Sequence, residues 1–510
     1  MSAEKTNWDR ILACVLAVLV FVSGILYCDT NHTWGDDYAA YMLQGKAIAE
    51  GTVQQQTKEN LLLHPGEIYG EDFQSMKSLV YVWGFPLQLA AIYRLVGFDV
   101  LTSQQSVLYY KIPGCLSLGL LAGILFLFFR RRFRTDVSML LTVFLVLSIF
   151  PDIQNIHTDL PFLCMTFCSF YLYETLWERT TKKEMVIHAV ALGISMCYAC
   201  LLRLNGTTVI LIIAAMHIFK MVYTPECRSR ILYHCLAYVV FAVLLGAFYL
   251  VFPYPTSNSG DIGLGDLLMG TKMNYWILSA WLSNAVPFGS GKLIGMVTWG
   301  LKLCCVIGFL SKGRKAEFGY AVFLAGTLLV TASLPYHQGV RYLYGILPLI
   351  VMFIADGVSF IYDIVCKYLK QERLIRGFAC LGFVCVVLFA AVELKAGCDA
   401  ILEEREQRKT LSQDATDNAY AESCLEVYRF IREETEADAV FAFLKPRALY
   451  LNTGKLSFRP NVNGHRLQDA DYYVWFKPWE DEEEEVIPQK ENRMKQVFRN
   501  SDFIIYRVKE

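Results

Sequence analysis

Asp36 and Asp37 are adjacent carboxylates that follow the first apolar segment, in the motif Trp34-Gly35-Asp36-Asp37-Tyr38. Residues 37–50 are predicted to form an amphipathic helix, and adjacent residues do not share a helix face. One carboxylate can therefore face a cleft, where it would suit removal of a proton from a hydroxyl or an amine, while the other caps the helix. The simpler alternative is a pair of capping or solvated acids in a loop.

Three cations occupy comparable positions near the ends of apolar segments. Arg203 ends one segment in Leu-Leu-Arg-Leu-Asn-Gly, Arg341 opens another, and Lys77 precedes an apolar stretch rich in aromatic residues. Arginine makes bidentate contacts with phosphate and lysine contributes a point charge, so these residues suit a lipid phosphate. Each arginine has an alternative role as a side chain that snorkels to the membrane surface, and Lys77 as a contact to lipid headgroups.

Asp159 is a further acid at the start of an apolar segment, directly after His157 and Thr158. Its alternative role is the N-cap of that helix. Taken together, the acids and the cations predict one outward-facing cavity at the membrane surface. Such a cavity is what sugar transfer from a lipid-linked phosphate donor requires.

The composition identifies the elements that must position these residues as membrane helices. Of 510 residues, 55% are hydrophobic and 19% are charged, and the mean hydropathy is +0.36. Soluble chains are about 25% charged, so an ordinary soluble enzyme is excluded, and a net charge of −1 gives no bulk attraction for nucleic acid. About eleven predicted spans are 11–27, 106–129, 137–155, 159–177, 185–202, 206–223, 231–252, 291–311, 317–334, 342–362 and 376–394.

The distribution of basic residues predicts how these spans are oriented. The cluster Arg130, Arg131, Arg132 and Arg134 belongs in the cytoplasm by the positive-inside rule. Every later basic loop agrees if 79–97 is an interfacial helix and not a span. The N-terminus is then cytoplasmic, and the loops 28–105 and 253–290 are external.

The sequence from 395 to 510 differs in composition from the rest. It is charged, with a helix predicted at 418–436 and strands at 439–444, 472–476 and 502–508. We therefore predict two domains: an all-α polytopic membrane domain over 1–394 and a small extracytoplasmic α/β domain over 395–510. The protein is expected in the cell membrane as a multi-pass protein.

The motifs of common soluble enzymes and metal sites are absent from the sequence. Gly289-Ser290-Gly291-Lys292 lacks the Ser or Thr and the first Gly of a phosphate loop. The His residues never fall at zinc-ligand spacing. No metal ligands and no cofactor are predicted, although a divalent metal is not excluded.

In order along the chain, the motifs resemble those of the GT-C superfamily of membrane glycosyltransferases. The branch most similar contains protein O-mannosyltransferases, the aminoarabinose transferase of lipid A and bacterial relatives. The matching pieces are Asp36-Asp37-Tyr38 with Tyr41 and Ala47, Lys77 through Gly97, Ile156 through Pro161, Arg203-Leu204-Asn205-Gly206, Gly339 through Tyr342 with Leu347-Pro348, and Phe443 through Leu451 followed by Thr453-Gly454. The double proline common in the first loop of the family is missing, which leaves the role of Lys77 open and makes His64 an alternative.

The resemblance implies an inverting glycosyltransferase with a GT-C fold and a polyprenyl-phosphate sugar donor. Asp36 would be the base that activates the acceptor, a lipid, glycan or protein, and Asp37 would orient it. Lys77, Arg203 and Arg341 would stabilise the phosphate leaving group. The supporting residues would be Asp159, His337, Tyr342 and His64. Superfamily branches that glycosylate asparagine use a divalent metal, for which this sequence offers no argument.

Two other functions fit part of the pattern. A transporter or flippase of lipid-linked saccharide would also place cations in an outward cavity. It should, however, show paired halves or broken helices in matching positions, and the sequence contains no such repeat. A non-catalytic membrane scaffold is the third alternative, and in a scaffold the Asp pair would be dispensable.

Overall fold

The computed structural model describes residues 3–64, 80–224, 230–255, 264–284, 291–312, 317–333, 339–368, 413–461, 466–479 and 494–508, with scattered residues between 395 and 407. Helices dominate the part before residue 369. They are α1 (Ala3–Tyr27), α2 (Asp36–Glu50), α3 (Val53–Leu62), α4 (Gly84–Val96), α5 (Ser106–Arg130), α6 (Thr135–Ile149), α7 (Asp159–Leu176), α8 (Lys182–Leu202), α9 (Gly206–Tyr223), α10 (Ile231–Val251), α11 (Leu264–Asn284), α12 (Gly291–Lys312), α13 (Phe318–Ala332) and α14 (Leu347–Tyr368). Short 3₁₀ turns, Phe150–Gln154 and Gly339–Ile346, extend α6 and precede α14.

Eight helices in the described part of the chain are long and apolar enough to cross a membrane. They lie within α1, α5, α6 with its 3₁₀ turn, α8, α9, α10, α12 and α14 with its 3₁₀ turn. The 15-residue α13 is apolar but shorter. The protein is therefore a multi-pass membrane protein, as its composition predicts.

Several sequence predictions differ from these elements or lie beyond them. The span predicted at 159–177 corresponds to α7, which is not among the eight helices. The predicted external loop 253–290 contains α11, a 21-residue helix that the sequence analysis did not identify. Asn274 of α11 donates hydrogen bonds to the Leu328 carbonyl (2.9 Å) and the Thr331 hydroxyl (3.0 Å) of α13. This polar pairing explains why a segment of moderate hydropathy is helical. The predicted span 376–394 lies outside the described residues.

Two short helices of the first loop, α2 and α4, correspond to the helices predicted at 37–50 and 79–97. α4 has 13 residues, too few at about 1.5 Å per residue to cross a bilayer of about 30 Å. It therefore matches the interfacial helix predicted at 79–97. α2 ends at Gly51, whose φ of 76° is a left-handed conformation that favours glycine, and α3 follows directly.

The arginine cluster lies at one end of the long helices. Arg130 pairs with Asp9 (3.0 Å), and Arg131 with Glu174 (2.6 Å). Arg132 bridges Glu174 and Glu317. Asp159 begins α7 and Glu174 lies near its end, so the cluster is about 22 Å along the helix from Asp159.

The tail folds as a small α/β unit. Its helices are α15 (Glu422–Glu434) and α16 (Pro446–Thr453), and its strands are β1 (Phe441–Ala442), β2 (Ser457–Phe458), β3 (Tyr472–Phe476), β4 (Lys495–Arg499) and β5 (Phe503–Arg507). The sheet order is β2-β1-β3-β5-β4. β1 is parallel to β2 and β3, whereas β5 is antiparallel to β3 and β4. The predicted strands at 472–476 and 502–508 correspond to β3 and β5.

One hydrophobic core joins the tail to the first loop. Trp34 is 4% exposed, and its indole N–H donates to the Ala415 carbonyl at 2.5 Å. Its ring packs against Phe443 and Phe476, with centroids 5.8 Å away in both cases. Since α2 begins two residues after Trp34, the tail and α2 have a fixed relative position.

Candidate active site

The described chain contains a cavity of about 380 Å³ between α2, the start of α7, the end of α8, the turn before α14 and α16 of the tail. Its lining includes six residues that the sequence analysis singles out: Asp37, His64, Asp159, Arg203, Arg341 and Tyr342. Three further polar lining residues, Tyr41, Tyr81 and Arg447, are discussed below. The volume is in the range of small-molecule sites.

Asp37 lies in the first turn of α2 and faces this cavity. Its Oδ1 accepts a hydrogen bond from the Tyr81 hydroxyl at 2.7 Å, and its Oδ2 lies 3.9 Å from Nη2 of Arg341. The Asp37 side chain is 44% exposed. It is thus held by one oxygen while remaining accessible to a molecule in the cavity.

Asp159 is the first residue of α7 and forms an ion pair with Arg203, which directly follows α8. The Asp159 Oδ2 also lies 3.4 Å from Nδ1 of His157, whose Nε2 is 3.0 Å from Asp152. Asp159 is only 5% exposed. The ion pair orients Arg203 in the cavity wall. Asp159 therefore positions Arg203 and is not simply an N-cap.

Arg203 and Arg341 both lie close to the same aromatic ring. Their guanidinium carbons lie 5.5 Å and 5.6 Å from the centroid of Tyr342, within the range of cation–π contacts. Burial lowers the pKa of Arg203, although an arginine remains charged at neutral pH. Two cations held this close together favour a doubly negative or strongly polar anion between them.

The sequence analysis missed Tyr81 and Arg447 as site residues. Tyr81 lies just before α4, and Arg447 lies in α16 of the tail, where it is 1% exposed. Nη1 of Arg447 donates to the Tyr81 hydroxyl at 3.2 Å. The tail contains many charged residues, and the sequence alone does not show that Arg447 is a buried arginine.

Burial and charge keep both cavity tyrosines protonated. Burial, followed by the negative charge of Asp37, raises the pKa of Tyr41 to about 12. Burial also raises the pKa of Tyr81, against the opposing charge of Arg447. Both phenols therefore keep their protons at neutral pH, and the Tyr81 hydroxyl donates to Asp37.

Three predicted site residues cannot be placed in this geometry. Lys77 and His337 lie outside the described residues. Asp36 is the first residue of α2, but its side chain is not among those described. Asp37 is the member of the Asp pair whose side chain is described, and it lines the cavity.

The described residues contain no group of three or more His, Cys, Asp or Glu side chains that could hold a metal ion. In the cavity, Asp159 is engaged by Arg203 and His157, and Asp37 by Tyr81. The side chains around these two carboxylates are thus mainly cations and phenols, which suit an anionic ligand.

No family model and no curated protein matches the sequence. Solved structures do match over nearly its full length. ArnT from Cupriavidus metallidurans bound to undecaprenyl phosphate is 13% identical with a TM-score of 0.58, and the match covers 99% of this chain and 98% of that one. The apo form of the same protein has 12% identity and a TM-score of 0.56, with the same coverage.

An oligosaccharyltransferase from Archaeoglobus fulgidus, tethered to an acceptor peptide containing the NVT sequon, is similar as well. It is 10% identical with a TM-score of 0.56, and the match covers 93% of this chain and 70% of that one. Another structure of the enzyme, a complex with Zn and sulfate, has a TM-score of 0.54. At these identities the likeness concerns the fold, and the chain therefore has the GT-C fold that its motifs predict.

Proposed function

We propose that the protein is a glycosyltransferase that moves a sugar from a polyprenyl-phosphate donor to a hydroxyl or amine acceptor. The observation that carries the proposal is the single cavity in which an accessible carboxylate, Asp37, faces two arginines, Arg203 and Arg341. The two kinds of fold neighbour support it, since one holds undecaprenyl phosphate and the other an acceptor peptide.

In the proposed reaction, Asp37 accepts the proton of the acceptor hydroxyl or amine. The acceptor atom attacks the anomeric carbon, and the bond from that carbon to the phosphate oxygen breaks. The phosphate leaves with the bonding electrons, and Arg203 and Arg341 stabilise its added charge, which is often worth a few kcal/mol per contact. A single in-line displacement inverts the anomeric centre.

The remaining predicted residues have supporting roles in this proposal. Asp159 holds Arg203 in place, and the ring of Tyr342 contacts both arginines. Lys77 is assigned to the phosphate by the family likeness, with His64 as a further cavity residue. Asp37 takes the role of base that the family resemblance assigned to Asp36, since Asp37 lines the cavity, and His337 keeps its predicted supporting role in the proposal.

We place the reaction at the outer face of the cytoplasmic membrane. The support is the separation of the cavity from the arginine cluster, which lies at the other end of α7. Because cytoplasmic loops are rich in arginine and lysine, the cavity end of the bundle is assigned to the exterior. The tail, which contributes Arg447 to the cavity, is then also external.

The test uses right-side-out membrane vesicles that contain the protein and a radiolabelled undecaprenyl-phosphate sugar. Asp37→Asn is expected to lower cleavage of the labelled donor by about 100-fold or more, since a positioned base contributes about 10²–10⁴-fold. Asp36→Asn, measured in parallel, shows how much of the activity depends on the other member of the Asp pair. Asp438→Asn, which alters an exposed acid of the tail, is the matched control and should retain full activity.

Two outcomes would overturn the proposal. Undiminished cleavage by Asp37→Asn with normal expression removes Asp37 as the base. Movement of intact donor across the membrane, without cleavage of its sugar–phosphate bond, supports the transporter instead.

A further inference from the structure

The tail contributes one side chain directly to the catalytic wall of the cavity. Arg447 lies in the first turn of α16, and α16 packs against α2, the helix that carries Asp37. Its guanidinium carbon is 5.3 Å from the centroid of the Tyr81 ring, while Nη1 donates to the Tyr81 hydroxyl at 3.2 Å. Arg447 thus holds both the face and the oxygen of Tyr81.

Tyr81 is also fixed from the side of α2. Its backbone N–H donates to Oε1 of Gln44 at 3.0 Å, and its carbonyl accepts from Nε2 of Gln44 at 3.1 Å. Gln44 is fully buried, and the ring of Tyr41 packs at 5.0 Å from that of Tyr81. These contacts fix the position of the Tyr81 ring, and its hydroxyl donates to Asp37.

The two oxygens of Asp37 are consequently unequal. Oδ1 accepts the Tyr81 proton at 2.7 Å, whereas Oδ2 faces the cavity at 3.9 Å from Arg341. A carboxylate anchored by one oxygen presents the other in a fixed orientation, and alignment of this kind is a large part of what an active site contributes to a reaction. Arg447 strengthens the Tyr81 donor because its charge polarises the phenol.

We propose that Arg447 and Tyr81 form a positioning pair through which the tail domain aims Asp37 at the acceptor. The inference rests on the proposed role of Asp37 as proton acceptor. Tyr81 and Arg447 act through Asp37 and transfer no proton themselves. The pair also makes the tail a required part of the catalytic apparatus.

Tyr81→Phe is the first test, because it removes the hydroxyl while keeping the ring beneath Arg447. We expect kcat for sugar transfer to fall about 10-fold and KM for the lipid donor to stay within about twofold, since orientation is lost and phosphate contacts remain. Tyr93→Phe is the matched control. It removes a 2.7 Å phenol–carboxylate bond between α4 and Glu50 of α2, remote from the cavity, and should leave kcat unchanged.

Arg447 is tested by a loss and a rescue. Arg447→Gln is expected to lower kcat by a similar factor, and Arg447→Lys, which retains a charged donor but not the planar guanidinium, to restore part of it. Arg499→Gln, at an exposed arginine of β4, is the control. Equal losses in the Gln and Lys variants, or losses confined to KM, would show a merely structural residue and overturn the proposal.

A donor-free measurement separates this proposal from the proposed function. A water-soluble carbodiimide modifies accessible carboxyl groups, and loss of the Tyr81 hydrogen bond would free Oδ1 of Asp37 for modification. At one fixed pH, Tyr81→Phe should speed modification of Asp37 about threefold by peptide mass spectrometry, whereas Tyr93→Phe should not. If the wild-type protein transfers no sugar, the proposed glycosyltransferase function is wrong, but the modification rate still tests the positioning pair. An unchanged modification rate in Tyr81→Phe would contradict the positioning pair and leave the proposed function standing.

Discussion

At the scale of single residues, the buried pair of Asp159 and Arg203 determines what the cavity can bind. Asp159 is 5% exposed, so removal of its partner would leave an uncompensated charge in a water-poor site. The pair also limits how far Arg203 can move towards a ligand. The arginine is thus preoriented for an anion that arrives between it and Arg341.

Arg203→Gln should therefore have two separable effects. It should lower the thermal unfolding midpoint, because breaking a buried pair from one side costs about 3–5 kcal/mol. It should also weaken binding of undecaprenyl phosphate about tenfold or more, since a charge-assisted contact is lost. Thermal unfolding in detergent, with and without the lipid, measures both effects.

The double variant Arg203→Gln with Asp159→Asn distinguishes these effects. It should recover much of the stability, because no unpaired carboxylate remains, but none of the lipid affinity. Arg134→Gln is the control, as the Arg134 side chain is 85% exposed in the arginine-rich region remote from the cavity. Full lipid affinity in the double variant would contradict the assignment of Arg203 to the phosphate.

The sequence predicts those site residues whose charge contrasts with their surroundings. Asp159, Arg203 and Arg341 stand at the ends of apolar segments, where a charge is conspicuous, and the structure brings all three to one cavity. Arg447 could not be found in this way, since arginine is common in a charged tail. Its contact with Tyr81 spans 366 positions, and only tertiary folding creates it.

At the scale of elements, α4 packs closely against the end of α8, next to Arg203. A Cβ atom on Gly84 would lie 2.6 Å from the backbone carbon and oxygen of Leu201. No such contact is tolerated, so only glycine lets the two helices approach here. Leu201 precedes Arg203 by two residues, so the approach also fixes the start of the Arg203 turn.

Gly84→Ala should push α4 away from α8 and destabilise the protein by about 1–3 kcal/mol, the usual cost of overpacking. Lower donor affinity should accompany the loss, because Arg203 shifts with α8. Gly246→Ala in α10, where nothing lies within 4 Å, is the control and should be neutral or slightly stabilising. Thermal unfolding compares the two, and equal midpoints would refute the tight packing.

Strongly apolar segments were the most predictable elements. Runs such as 106–129 and 231–252 stand out by hydropathy, and α5 and α10 occupy them. α11 was missed because Asp266, Lys272 and Asn274 interrupt its apolar character. Asn274 bonds to α13, so a tertiary partner, invisible in the sequence, stabilises the helix.

At the scale of the whole molecule, polar contacts supplement the shared core of the tail and the membrane domain. Nη1 of Arg432 on α15 donates to Asp99, in the loop between α4 and α5, at 2.8 Å. Burial opposes ionisation of Asp99, but hydrogen bonds from Thr102 and Arg432 outweigh it and lower its pKa. The Asp99 side chain is 41% exposed, so solvent screens the pair.

The contribution of this pair to stability should depend on pH. A pKa lowered by folding stabilises the folded state above the unfolded value of about 3.9, and the gain disappears as pH falls through the folded value. At neutral pH, Asp99→Asn should lower the unfolding midpoint by about 1 °C, in line with about 0.5 kcal/mol for an exposed pair. Midpoints measured across the acidic range should converge below about pH 4; a constant difference would contradict the assignment.

The contact between Arg447 and Tyr81 also has a consequence for biosynthesis. One wall of the reaction chamber comes from the first hundred residues and another from the last hundred, joined across 366 positions. A ribosome must therefore translate the chain at least as far as Arg447 before that cavity is complete. Copies truncated before residue 447 lack this arginine and cannot form its contact with Tyr81.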